Sequence, residues 1–172
     1  MATRKRVADK VDDAADATAE TPAHGESLDQ SGLMHLVGYA ASRASIELKK
    51  SFSRHLGPLK LKAVEFSVLV LVDTNAEVNQ KQLGQALDVS PPNLAVTLDR
   101  MVEQGWIRRE RSERDRRAQL VRLTPTGQAL VTRARKIAHT MEQDALKVLS
   151  PAEQALLIEL LQRVAQQRSR QA

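Results

Sequence analysis

Apolar residues recur every three to four positions along most of this chain, at Leu33, Val37, Ala40, Ala44, Leu48 and Phe52, the spacing of one face of a long helix from Ser31 to about Leu56. Gly57-Pro58 stops it. The stretch LKAVEFSVLVLVDT then reads as a second, well-buried helix. Asn79, with Gln82 three residues on, has the form of a capping box opening a short third helix, NQKQLGQAL. Asp88-Val89 turn tightly into SPPNLAVTLDRMVEQG, where Ser90 is placed to cap, Pro91 takes the tolerated first helical position and Gly105 ends the fourth helix. On that helix Leu94, Leu98, Met101 and Val102 have core spacing, which leaves Pro92, Asn93, Val96 and Arg100 on another face.

Beyond Gly105 the period changes. WIRRE and LVRLT are β-rich arms around a polar tip and predict a hairpin. Thr124-Pro125 restarts helix, with apolar positions at Leu130, Ala134, Ile137, Met141 and Val148. Ser150-Pro151-Ala152-Glu153 is another capping box, leading into Leu156, Leu157, Leu160, Leu161 and Val164. The fold class expected is mainly α with a small β wing: a winged helix-turn-helix lobe joined to a helical bundle. The first and last helices carry more apolar face than one lobe can cover, which points to dimerisation.

Charge sharpens this reading once the chain is divided. Residues 1–29 hold four Lys/Arg and seven Asp/Glu with few large apolar residues, so they are expected to form a disordered acidic tail. The remaining residues, 30–172, carry 22 basic and 14 acidic side chains, a net +8 against +5 for the whole chain, which suits an anionic partner. Within them 30–57 and 125–168 are expected to be dimerisation helices and 60–124 a DNA-binding winged helix-turn-helix lobe. The excess is concentrated at the hairpin, at Arg108, Arg109, Arg111, Arg114, Arg116 and Arg117. Like charges so close repel one another, and phosphates or a narrow minor groove would relieve that repulsion.

Other chemistries find little support. Cysteine is absent, which closes disulfides, thiolate metal sites and thiol redox sensing. His24, His35, His55 and His139 form no H-E-x-x-H, and there is no G-x-S-x-G or glycine-rich phosphate loop, so no enzyme, metal site or cofactor is expected. No apolar run reaches the roughly 18 residues of a membrane span, and the N-terminal residues lack the apolar stretch of a secretory signal, so a cytoplasmic location is expected. The rival readings are an effector-independent architectural DNA-binding protein and a winged-helix protein-interaction module.

LKAVEFSVL, QKQLGQALDVSPPNLAVTLDRMVEQGWIRR and ERDRRAQLVRLTPTG, in that order, closely resemble the MarR (multiple antibiotic resistance regulator) family over residues 31 to 165. The resemblance implies a homodimer with interlocked first and last helices, two lobes on a palindromic double-stranded DNA operator, and often a small-molecule effector between the two regions. A repressor released by its ligand is the expected function. Where family wings read D-x-R-D-x-R, Ser112 takes the first acidic position, and the resemblance makes Asp115 the residue that orients Arg117. Arg117 or Arg116 would then enter the minor groove, with Arg114 beside them. On the recognition helix Asn93 is the best base reader, because its amide both donates to and accepts from adenine; Val96 would meet a thymine methyl. Ser90 would meet phosphate or cap, while Arg108, Arg109 and Arg122 read as phosphate or solubility charges.

For the effector, His35, Tyr39 and Arg43 are four residues apart and would form one polar stripe on the first helix. Arginine grips a carboxylate or phosphate, and the other two hydrogen-bond a ring hydroxyl or thioester carbonyl. The SPPNLAVTLDRM helix and RDRRAQ wing are similar to those of regulators of hydroxycinnamate and other aromatic-acid breakdown, so an aromatic acid or its coenzyme A thioester is the ligand expected.

Overall fold

Leu56, Val68, Leu69, Leu94, Leu98, Met101 and Val131 are wholly inaccessible to solvent and come from four different helices, so their packing defines the lobe. The computed structural model describes residues 28–111 and 119–166. Their order is α1 (Ser31–Met34), α2 (Val37–Leu56), a 3-10 turn (Gly57–Leu59), α3 (Ala63–Thr74), α4 (Gln80–Leu87), α5 (Pro91–Glu103), β1 (Ile107–Arg111), β2 (Gln119–Leu123), α6 (Pro125–Ala138), α7 (Gln143–Leu146) and α8 (Pro151–Gln166). The fold is therefore mainly helical with a small antiparallel wing, as the hydrophobic pattern requires. β1 and β2 pair from Ile107↔Leu123 to Arg111↔Gln119. A bridge between Asn79 and Leu120 and a bond from the Val121 N–H to the Val78 carbonyl (2.8 Å) add the entry to α4 to this hairpin.

Two long helices expected from the spacing are interrupted. The first breaks at His35-Leu36, where Leu36 is extended (φ −87°, ψ 119°). Gly32 and Gly38 flank the break, and each weakens a helix by about 0.8–1 kcal/mol relative to alanine. The Tyr39 hydroxyl donates to the Gln30 side chain and ties the segment before α1 to the first turn of α2. The second break follows Ala138, so that Met141 turns inward and is buried while Val148 points outward, 82% exposed. The buried Ser51 hydroxyl donates to the Met141 carbonyl, taking an acceptor that a continuous helix would have used.

Val102 is the one expected core residue of α5 that stays outside, 39% exposed. Leu94, Leu98 and Met101 already complete the buried stripe, and one further residue rotates about 100° away from it. Ser90 occupies the N-cap position with extended backbone, but its hydroxyl makes no capping bond. A cap accepts from the second or third helical N–H; the second residue is Pro92, which has none, so only the Asn93 N–H could serve, and Ser90 does not take it.

The turn from wing to α6 has the closest backbone approach at any glycine among the described residues. Thr124 accepts from the Gly127 N–H (3.0 Å) and donates to the Gly105 carbonyl (2.5 Å), so α6 starts directly against the exit of α5. A Cβ on Gly127 would lie 1.9 Å from the Trp106 carbonyl oxygen, and backbone cannot move aside as a side chain can. Gly127→Ala is expected to destabilise the protein by about 1–3 kcal/mol, the cost of overpacking. Denaturant unfolding followed by the fluorescence of Trp106 measures it; an unchanged midpoint would show that α6 yields here.

α8 begins with the expected box, in which the Ser150 amide and hydroxyl both donate to Glu153 (2.7 Å each) and hold its carboxyl below the usual carboxylate range. This contribution is present above the ordinary carboxylate range and is lost as acid protonates Glu153. No residue of α8 is buried. Among the described residues no helix is long and apolar enough to cross a membrane.

Candidate nucleic-acid interface

α4 and α5 are joined by a short turn that is fixed at both ends. Asn79 accepts from the Gln82 N–H and Gln82 returns the bond to the Asn79 N–H (2.9 Å each), which fixes where α4 starts. Asp88 takes the left-handed conformation (φ 51°), and the Val89 N–H bonds the Gly84 carbonyl (3.0 Å). Gly84 lets the helices approach: a Cβ there would stand 3.2 Å from the Val89 oxygen and 3.5 Å from Leu94 Cδ2. Gln80 Nε2 reaches across to the Pro91 carbonyl (3.5 Å). With Leu83 and Leu94 buried, α5 has one pose on α4.

That pose leaves Ser90, Pro92, Asn93 and Val96 exposed along the first two turns of α5, Val96 to 70%. Thr97 donates to the Asn93 carbonyl (2.9 Å), a bond to the main chain that does not engage the Asn93 amide group. Arg100 departs from this set. Its Nη1 lies 2.8 Å from Oε1 of Glu65, and its Nη2 points at the Lys60 carbonyl (3.5 Å). The guanidinium therefore turns back onto α3, away from the outer face on which its spacing placed it.

The arms of the wing are braced by acids. Arg109 of β1 pairs with Asp99 of α5 (2.7 Å), a strut from wing to recognition helix. Arg108 and Arg122 are directly opposed in the hairpin, and Glu110 lies between them, bonded to Arg108 and 3.7 Å from Arg122. Like charges opposed across strands destabilise a hairpin, and this carboxylate offsets them. Arg111 is exposed at the end of β1. Arg114, Asp115, Arg116 and Arg117 lie outside the described residues.

A helix-turn-helix with an exposed polar reading face, followed at once by a strutted basic hairpin, is a DNA-binding arrangement. The MarR family's sequence pattern matches residues 59–118, the interval from the start of the lobe into the wing. The HTH-type transcriptional regulator PecS of Dickeya dadantii (strain 3937) is 32% identical over 126 residues, covering 72% of this chain and 76% of PecS. The chain belongs to the MarR family. The multiple antibiotic resistance protein MarR of Escherichia coli (strain K12) is 30% identical over 133 residues, covering 77% of this chain and 88% of its own. Among solved structures, the repressor CouR bound to a 23-mer DNA duplex superposes with a TM-score of 0.75 at 32% identity, over 81% of this chain and 99% of that one. CouR bound to p-coumaroyl-CoA gives 0.73 at 30% identity, over 81% and 98%. This MarR-family chain is thus a winged-helix transcription regulator and not an enzyme.

The effector stripe expected on the first helix is not assembled in this regulator. His35 closes α1, outside α2, whereas Tyr39 and Arg43 lie on α2, so the helix break removes the three-residue line. The Tyr39 hydroxyl is taken by Gln30. Arg43 is exposed and contributes only its field to Glu47, whose carboxyl is held low first by the hydrogen bond from Lys50. An open cleft of ≈ 790 Å³ lies between α2, α7 and α8, with Ala44, Leu48, Phe52, Met141, Leu157 and Leu161 among its walls. Ala63, the first residue of α3, also lines it, and Glu47, Lys49 and Glu142 supply its charged groups. Neither His35, Tyr39 nor Arg43 reaches it.

Glu65, Asp99 and Glu110 are the site residues that charge counting passes over. Each is an acid within a basic region, and only two of them carried a local signal: Glu65 stands three residues after Lys62 at a helix start and Glu110 two residues after its partner Arg108, whereas Asp99 lies ten residues before its partner Arg109.

Proposed function

We propose that this regulator is a dimeric, sequence-specific repressor that holds a palindromic operator and releases it when a small ligand enters the cleft between α2 and α8. The observation that carries the reading is the exposed face of Ser90, Pro92, Asn93 and Val96, held in one pose beside a basic wing. Asn93 reads adenine, Val96 packs on a thymine methyl, and Ser90, whose hydroxyl is not spent on capping, contacts phosphate. Arg114, Arg116 and Arg117 meet the minor groove, with Asp115 aiming Arg117.

Dimerisation follows from the two apolar sides of α8. Leu157 and Leu161 line the cleft, while Leu156, Leu160 and Val164, spaced i, i+4 and i+8, form a neighbouring row that is 44–66% exposed. A second copy across a two-fold axis would bury that second stripe and present two recognition helices to the two halves of an operator. The ligand is an aromatic acid or its coenzyme A thioester: the cleft is apolar enough for a ring, its volume falls in the range of small-molecule sites, and Lys49 offers a cation to a carboxylate or phosphate. That the related CouR has been solved both with DNA and with p-coumaroyl-CoA supports this choice. A ligand that prefers one spacing of the lobes lowers operator affinity by its differential affinity for that state.

Asn93→Ala is expected to cost about 1–3 kcal/mol on the operator and almost nothing on random duplex, the signature of a base contact. Fluorescence anisotropy on both DNAs measures it, and equal losses would make Asn93 a positioning residue. Arg117→Ala is expected to weaken both complexes and to reduce the slope of log K against log salt by about one. An unchanged slope would remove Arg117 from the interface.

A further inference from the structure

Glu65 is 1% exposed, the most deeply buried ionisable group among the described residues, and nothing in the DNA-reading scheme above uses it. Its two oxygens divide their work. Oε2 accepts from the Lys62 N–H (2.8 Å) and so fixes the first turn of α3; Oε1 pairs with Arg100 of the recognition helix (2.8 Å). Arg100 also reaches the carbonyl of Lys60, a non-glycine residue held in the left-handed region (φ 56°). A conformation that L side chains rarely adopt persists where the surroundings over-determine it. Residues 60–65, which join α2 to α3, are thus pinned to α5 by one carboxylate and one guanidinium.

The same junction forms part of the cleft. Ala63 is one wall residue; Leu48 and Phe52 of α2 stand on the other side of the junction. On α5, Arg100 is one turn from Val96 and two turns from Asn93, on the same side of the helix. A displacement of the α3 start must carry Glu65 with it. A buried carboxylate cannot leave its partner without standing uncompensated in a low-dielectric interior, so Arg100 follows, and the reading face with it.

We propose that Arg100 does not contact DNA: it is the positioning residue of the recognition helix, and with Glu65 it forms the mechanical link by which the state of the cleft reaches Asn93 and Val96. The proposal rests on the DNA-reading function above but needs no identified ligand, because the cleft can be filled from within the chain. Ala63→Leu places a larger side chain into it at the junction itself.

The test is a double-mutant cycle on the full-length protein, combining Ala63→Leu with the paired replacement Glu65→Met/Arg100→Met, which exchanges the ion pair for apolar side chains and strands no charge. Affinities for operator and random duplex, and the salt slope on random duplex, are read for all four proteins. Ala63→Leu alone should weaken operator binding about two- to thirtyfold, the usual span of coupling between sites, and should have no effect in the Met/Met background. Met/Met itself should lower the ratio of operator to random affinity while leaving the salt slope unchanged, because no phosphate contact is lost. A slope reduced by about one in Met/Met would make Arg100 a phosphate contact and overturn the proposal. So would an Ala63→Leu effect that is absent in the parent or equal in both backgrounds. If Met/Met loses its helical circular dichroism, Glu65→Gln/Arg100→Gln takes its place with the same expected outcomes. Absence of operator preference in the parent protein would instead contradict the DNA-reading function, so the two failures are distinguishable.

Discussion

Ending the chain at Ala155 is expected to yield a folded monomer whose operator affinity is lower by about 10²–10⁴-fold. The lobe should survive because no α8 residue is buried within the protomer, and the fully buried residues run from Leu56 to Ala134. What the truncation removes is the open row of Leu156, Leu160 and Val164, 44–66% exposed. Such a contiguous apolar surface marks an association site, and each side chain fully withdrawn from water there contributes about 1.5–3 kcal/mol. The loss of affinity has a separate origin. In a dimer the second half-site is bound at the high effective concentration set by the first, and a monomer forfeits that advantage without losing any base contact. Light scattering gives the mass, and anisotropy titration gives the affinity. Leu160→Asp, which places a charge on the same stripe, should act in the same direction. A truncated protein that stays dimeric, or a monomer that retains parental affinity, would mean that α8 is not the dimerisation element.

Arg100→Ala is expected to destabilise the protein by about 3 kcal/mol, the lower end of the range for stranding one member of a buried ion pair. The lower end applies because the Arg100 side chain is 34% exposed and water can partly replace it, whereas Glu65 is 1% exposed. In a chain of this size the loss corresponds to a fall in melting temperature of roughly 6–12 °C. Glu65→Gln in the same background should recover much of it, because the orphaned charge is then gone while the amide oxygen can still accept from the Lys62 N–H. A melting temperature unaffected by Arg100→Ala would show that the carboxylate finds other partners or water. The same variant separates two roles that spacing alone confuses: a residue needed for DNA contact need not be needed for stability.

Most of the lobe was legible because its signals are local. Asn79 with Gln82, Ser150 with Glu153, Pro91 and Gly105 mark boundaries through bonds made within a few residues, and all four stand where those bonds require. The helix breaks were hidden for the complementary reason. The apolar period runs unbroken past Leu36 and past Ala138, while the bonds that accompany the breaks, from Tyr39 to Gln30 and from Ser51 to the Met141 carbonyl, depend on how the chain is folded back. Ser51 and Met141 are 90 residues apart. The site divides along the same line. Asn93 and Val96 are exposed as the helical period of α5 demands, yet that period could not distinguish them from Arg100, whose partner comes from α3. The stripe of His35, Tyr39 and Arg43 failed because a four-residue spacing makes a face only where the helix is continuous.

The central claim, a two-fold regulator that reads sequence through α5 and the wing, is tested most directly by selecting binding sites from a pool of random duplexes with the full-length protein, at physiological salt and with excess unrelated DNA. The account requires an enriched inverted repeat whose half-site centres lie about one helical turn, 10–10.5 base pairs, or a multiple of it, apart, bound by two chains per site. A pool that enriches no sequence, or a single asymmetric site occupied by one chain, would contradict it.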